Sequence, residues 1–190
     1  MVKIENSKRT ILNLAEDLLQ QKGFNGFSYA HIASKLGVKN AAIHYHFPSK
    51  EDLSRAVIRR YRDRFQLWIN NSRVKDLSPE KKLDWFLSIY NDMRVDQGKV
   101  CLVGSMEVEY NTLPEGLQAE VEELHRELLA WLEKMFAEGR ETGVFRFHGE
   151  PANKAALLLS SLQGALQMAR ALGTKKFRDV IEQIKLDVLA

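Results

Sequence analysis

Between Ser28 and Lys50 the chain reads SYAHIASKLGVKNAAIHYHFPSK, which concentrates hydrogen-bonding side chains at helical spacing. Lys39, Asn40, Ala41, Ala42, His44, Tyr45 and His46 fall on the outside of a short helix whose inner positions are Ile43 and Phe47. Asparagine can pair with an adenine edge and lysine with a guanine edge, and small alanines beside them let a helix tip approach a major groove. The polar rings of His44, Tyr45 and His46 are able to reach phosphates along the side. The chemistry on offer is readout of base edges flanked by backbone contacts. An ordinary helix pair inside a bundle has the same spacing, so the pattern alone leaves both readings open.

The elements needed to present that tip are legible around it. Ser28 is suited to cap a short helix carrying Ile32, Ala33 and Leu36. Ala33 is small enough for two helices to cross closely, and Gly37 supplies a turn that a side chain would strain. Leu36, Val38, Ile43 and Phe47 are expected to form the small core beneath. Upstream, Ile11, Leu14, Ala15, Leu18 and Leu19 mark one face of a first helix that stops at Gly23. Downstream, Pro48-Ser49 breaks the chain, and Ser49 with Asp52 three residues on opens a long helix to about Ile69.

Charge agrees with a polyanion at this end. Residues 1–64 hold twelve Lys/Arg against six Asp/Glu, whereas the remainder holds sixteen against nineteen, so a basic front is joined to a mildly acidic back. The 190-residue chain has an ordinary globular composition, and its single cysteine, Cys101, excludes an internal disulfide. No apolar run is long enough to span a bilayer and no secretory leader is visible, so the expectation is a cytoplasmic protein without a membrane partner.

From Arg9 to Leu53 the sequence resembles the N-terminal domain of TetR family repressors. The anchors are Ile11-Leu12, Ala15, Gly23-Phe24, Ser28, Ile32-Ala33, Gly37-Val38, Ile43, Tyr45, Phe47 and Ser49-Lys50 before Leu53. The resemblance implies a homodimer that binds double-stranded operator DNA and is released by a small apolar or amphipathic effector. It places Ser28 and Tyr29 where a helix crosses the DNA backbone, Lys39, Asn40, Ala41 and Ala42 at the base-reading tip, and His44, Tyr45 and His46 on phosphates. Lys50 matches a lysine that also touches the backbone. His44 departs from the pattern, in which tyrosine is commoner.

The rest of the chain is helical in rhythm. Ser78-Pro79-Glu80 starts a helix to about Arg94, a segment from Cys101 to about Tyr110 follows, and Pro114 opens a long helix closed near Gly143. Pro151 begins a helix to about Leu172, and Thr174 is placed to cap a last one ending near Val188. The expected fold is all-α, about nine helices, with a DNA-binding domain over 1–50 and an effector-binding and dimerisation domain over 51–190.

In that second domain the helix from Pro151 is apolar nearly all round and therefore buried on several sides. Leu158, Leu162, Ala165, Leu166 and Ala169, with Phe177, Val180, Ile181 and Ile184 of the last helix, are expected at the dimer interface. Trp85, Phe86, Tyr90, Cys101, Met106, Tyr110, His125, Trp131 and Gln163 are expected to line an effector cavity, with Met93, Met135, Phe136 and Met168 near them, although each taken singly fits core packing equally well.

Cys101 near Lys99 carries an alternative, a thiol that senses electrophiles or oxidants; a buried apolar role competes with it. Glu122 and His125 have the i, i+3 spacing of di-iron bundles, but the second Glu-x-x-His that such a site needs is missing. Phosphate loops, nucleophile elbows and paired-cysteine zinc spacing are absent too, so neither a metal, a cofactor nor an enzyme is expected.

Overall fold

The computed structural model describes residues 4–91 and 97–189, with the side chains of 4–6 left aside. Met93 and Arg94 lie outside the described residues. Among the described residues ten α-helices follow in order: α1 Ile4–Lys22, α2 Tyr29–Leu36, α3 Asn40–His46, α4 Lys50–Ile69, α5 Ser72–Lys75, α6 Pro79–Asn91, α7 Leu102–Glu107, α8 Glu115–Glu141, α9 Pro151–Leu172 and α10 Thr174–Leu186. A 3-10 turn, Tyr110–Thr112, precedes α8. Among the described residues there is no strand, only an isolated bridge between Phe145 and Leu189. The all-α expectation is met. The extra helix is α5, a single turn started by the Asn71 side chain, which accepts the Arg73 N–H at 2.9 Å.

Local chemistry explains the boundaries. Gly37 ends α2 in the left-handed conformation, φ +66°. Ser49 and Asp52 cap α4 reciprocally: the Asp52 N–H donates to Ser49 Oγ at 3.0 Å and the Ser49 N–H to Asp52 Oδ2 at 3.1 Å. Pro79 and Pro151 are the first residues of α6 and α9, where a missing N–H costs no helical bond. Thr174 is the first helical residue of α10 rather than its cap, because Gly173 occupies that position.

Two compact units result, residues 1–64 with 102–124, and 65–101 with 125–190. In the first, Ile11, Leu18, Leu19, Ile32, Ile43 and Leu53 are buried in one core, and α7 lies against α1. Charge ties α4 to α1, where Arg60 and Arg64 both reach Glu16. It also ties α4 to α8, where Glu120 is met by Arg59 at 2.6 Å, Arg62 at 3.3 Å and Arg55 at 3.8 Å. In the second unit α9 and α10 pack on each other over Leu158, Leu162, Leu166, Phe177 and Ile181.

Candidate nucleic-acid interface

The recognition segment is built from the inside out. Ile43 is fully buried, Phe47 nearly so, and with Ile32 and Ala33 they lock α3 against α2. Lys39, Asn40, Ala41, Ala42, His44 and Tyr45 are thereby left exposed and His46 half-buried. Tyr45 stands 79% exposed, with its ring edge against His46. Val38, expected in the small core, is 43% exposed instead. It follows Gly37 directly, where the left-handed turn ends α2.

Tyr29 is the main correction at this face. Expected on phosphate, it is buried, and its hydroxyl faces the carbonyls of Phe47 at 2.8 Å and Ser49 at 2.5 Å. A phosphate needs a donor, and this one is already committed to the α3–α4 junction. The phenol is pushed up to about 12, first by burial and then by the Asp52 carboxylate. Because the folded value lies above the ordinary 10.0, the stability owed to the neutral phenol is whole below pH 10. It is lost as pH rises toward 12. An alkaline titration followed by phenolate absorbance is expected to show a tyrosine ionising at about pH 12, and Tyr29→Phe to remove it; an unchanged profile in that variant would refute the assignment.

Lys50 also turns inward. Its ammonium donates to the carbonyls of Phe24 at 3.0 Å and Phe27 at 3.2 Å and lies over the Phe24 ring at 4.3 Å. Burial lowers its pKa from the ordinary value, with the Glu109 carboxylate working in the opposite direction. The lysine therefore braces the α1–α2 turn rather than extending toward a backbone. Ser28 remains exposed, and its N–H donates to His31 Nδ1 at 3.0 Å. His44 bonds the Pro48 carbonyl through Nδ1 at 3.0 Å and packs on Tyr29, which keeps Nε2 for an outside partner.

Glu109 was not foreseen. Its carboxylate accepts the N–H groups of Phe24 at 2.5 Å and Asn25 at 3.1 Å, so a residue 85 positions downstream closes the turn after α1. A Cβ at Gly23 would come within 2.7 Å of that carboxylate. Neither periodicity nor a local motif announces a contact over that separation. His31 was missed because the capping box is usually read for Glu or Gln at its third position.

The expected cavity residues divide between the two units, Met106 and Tyr110 in the first and the other seven in the second. Trp85 is stacked face to face on Trp68, and Phe86 packs against Trp131 and Tyr90. Met106 is fully buried, and the Tyr110 hydroxyl donates to Glu122. Met135 and Phe136 are buried too. His125 is half-buried, and the Gln163 Nε2 is buried with no hydrogen-bond partner among the described residues. Trp131 lines a recess of about 700 Å³ in the second unit. Ile69, Val74, Trp131 and Met135 form its apolar wall, and Lys75, Lys82, Lys134, Glu127 and Glu138 supply charge. Lys82, itself buried, pairs with Glu138 at 2.8 Å.

Cys101 is only 1% exposed, with its sulfur 3.9 Å from the Tyr90 hydroxyl. A thiol in that place reacts only when the surrounding packing opens. Iodoacetamide is expected to modify the native chain at least about tenfold more slowly than the chain unfolded in urea, as read by mass spectrometry. Equal rates would return the thiol-sensing alternative.

At the expected dimer interface seven of the nine residues, Leu158, Leu162, Ala165, Leu166, Ala169, Phe177 and Ile181, are buried within the protomer's own core; Val180 and Ile184 are half-buried. The exposed surface of α9 includes instead a stripe through Leu157, Gly164, Met168 and Leu172, with Ser161 half-buried among them and Leu157 58% and Leu172 67% exposed.

Comparison with known proteins agrees with this arrangement. Residues 11–57 match the family model described as bacterial regulatory proteins, tetR family. Residues 81–184 match that of the tetracyclin repressor-like C-terminal domain. A TetR family transcriptional regulator from Agrobacterium tumefaciens superposes with a TM-score of 0.90 at 28% identity, covering 99% of this chain and all of that one. A TetR transcriptional regulator from Legionella pneumophila gives a TM-score of 0.76 at 30% identity over 95% and 96% of the two chains. The HTH-type transcriptional regulator of the lacX 3′ region of Lactococcus lactis subsp. lactis is 28% identical over 88% of this chain and 85% of its own.

Proposed function

The chain belongs to the TetR family of bacterial transcriptional regulators, and we propose that it represses from an operator read by α3 of two copies. The observation that carries this reading is the outward tip Lys39-Asn40-Ala41-Ala42 above the buried Ile43 and Phe47. By this division residues 1–50 meet DNA in the cytoplasm, and 51–190 serve the effector and the second copy. Asn40 and Lys39 supply direct readout, Ala41 and Ala42 permit close approach, and Ser28, His44, Tyr45 and His46 hold phosphates. Tyr29 and Lys50 act from behind, as braces. Among the described residues no helix is long and apolar enough to cross a membrane.

Two copies meet through the outward face of α9 with Val180 and Ile184 of α10. The buried, unpartnered Gln163 nitrogen at the margin of that face supports an additional partner there. The recess beside Trp131 takes an amphipathic effector, its apolar body on Ile69, Val74, Trp131 and Met135 and its polar end among the lysines. α4 carries recess residues at its end and head residues at its start, as α8 carries Met135 and Glu120. A ligand that shifts either helix changes the presentation of α3. By linkage, effector and operator then weaken each other by one factor.

The test is an operator selected from random duplexes and bound by wild type and Asn40→Ala. The variant is expected to lose roughly 1–3 kcal/mol of discrimination at one position per half-site while still binding DNA. Equal affinity of the wild type for selected and shuffled duplexes would overturn the proposal.

A further inference from the structure

The segment between α8 and α9 builds a second recess, of about 850 Å³, that the operator and effector do not use. Phe145 is buried against Phe136 at 5.6 Å, and a Cβ on Gly139 would overlap its ring. Phe147 meets Phe136 edge-on at 5.5 Å. The intervening Arg146 and the following His148 are exposed. The Arg146 N–H is pinned to the Val188 carbonyl at 2.9 Å, beside the Phe145–Leu189 bridge, so this alternation is held in place.

Cations converge on the result. The Arg140 guanidinium lies over the Phe147 ring at 5.4 Å and donates to the Gly149 carbonyl at 3.0 Å, and the Lys154 ammonium lies over the same ring at 5.9 Å. Arg140, Arg146, His148 and Lys154 line the recess against a single acid, Asp187, whose carboxylate accepts the Gln183 amide at 2.7 Å. Among the described residues none of Arg140, Arg146 and Lys154 is in an ion pair. Glu141 follows Arg140 in sequence, and Glu150 precedes α9, where its side chain makes no capping bond. The positive end of the 22-residue α9 adds to the same potential.

We propose that this recess binds a small polyvalent anion of the organic-phosphate class. Arginine forks match phosphate oxygens two at a time, the lysine supplies a compact third charge, and cations gathered without an acid in an ion pair repel one another until an anion neutralises them. The volume is of the order that admits a phosphorylated metabolite. The site stands independently of the operator reading, since every residue in it lies in the second unit.

Pyrophosphate and citrate titrated calorimetrically into the full chain without DNA, against chloride at matched ionic strength, give the test. Wild type is expected to bind pyrophosphate saturably. The double variant Arg146→Gln, Lys154→Gln is expected to bind it about tenfold more weakly or worse, with an unchanged circular dichroism melt in chloride. Lys39→Gln, which alters the basic head, is expected to bind as wild type does. Citrate matching pyrophosphate would identify valence rather than phosphate geometry as the determinant and overturn the phosphate class. Loss of binding in Lys39→Gln with retention in the double variant, or no saturable heat in wild type, would overturn the site.

Discussion

Gly164→Glu is expected to yield a folded monomer whose affinity for the operator falls on the order of a hundredfold or more. Nothing lies within 4 Å of a Cβ built at this position, so the protomer accommodates a side chain. Replacing an interior helix glycine also removes a propensity cost of about 1 kcal/mol. The damage falls on association. Gly164 sits between Leu157, Met168 and Leu172 on the exposed stripe of α9, and the twofold contact proposed there would bring each carboxylate near its own image in an apolar setting. Two weakly bound heads no longer share one duplex, and the gain from joint engagement disappears. Sedimentation velocity and fluorescence anisotropy on a full operator read the two effects separately. A dimer with unimpaired affinity would move the interface off this face.

The second large effect lies inside the first unit. Glu120→Ala is expected to lower the unfolding free energy by about 2–3 kcal/mol, short of the fully buried range because its partners retain water. Glu120 is 8% exposed and receives Arg59 and Arg62 by hydrogen bond, with Arg55 close behind. Its removal takes the shared acid from three arginines between α4 and α8, of which Arg55 keeps Glu51 at 4.0 Å and Arg62 keeps Glu123 at 3.6 Å. For a chain of this length the loss corresponds to roughly 4–12 °C in Tm. Calorimetry checks the number; a shift below about 1 °C would show that the cluster is solvated and energetically idle. Glu120→Gln, which keeps the shape and two acceptor lone pairs, is expected to fall between the two.

Local instructions were the most readable part of this protein. Ser49 with Asp52, Pro79, Pro151 and Gly37 each act within a turn of themselves, and the helices start or stop where those residues stand. α5 escaped notice because four residues carry no periodicity and Asn71 alone is a weak announcement. Which side of a residue faces inward was harder. α9 is apolar around most of its circumference, so composition marks it as buried without choosing the face, and packing against α10 makes the choice. Tyr29 has a hydroxyl at a position that suits phosphate, yet the carbonyls that claim it belong to residues 18 and 20 places later. Of the aromatic residues expected at a cavity, Trp85 stacks on Trp68 and Phe86 packs on Trp131. Residue type identified what could line a cavity; only packing decides where space remains.

The carboxylate of Glu109 has a practical implication for building hybrid regulators. A head cut at residue 64 and fused to a foreign sensor would leave behind the acceptor of the Phe24 and Asn25 amides, along with the α7 surface that covers α1. Recombination that respects only linear order severs a stitch made across the chain. A transplant that carries 102–124 as well keeps that seam closed.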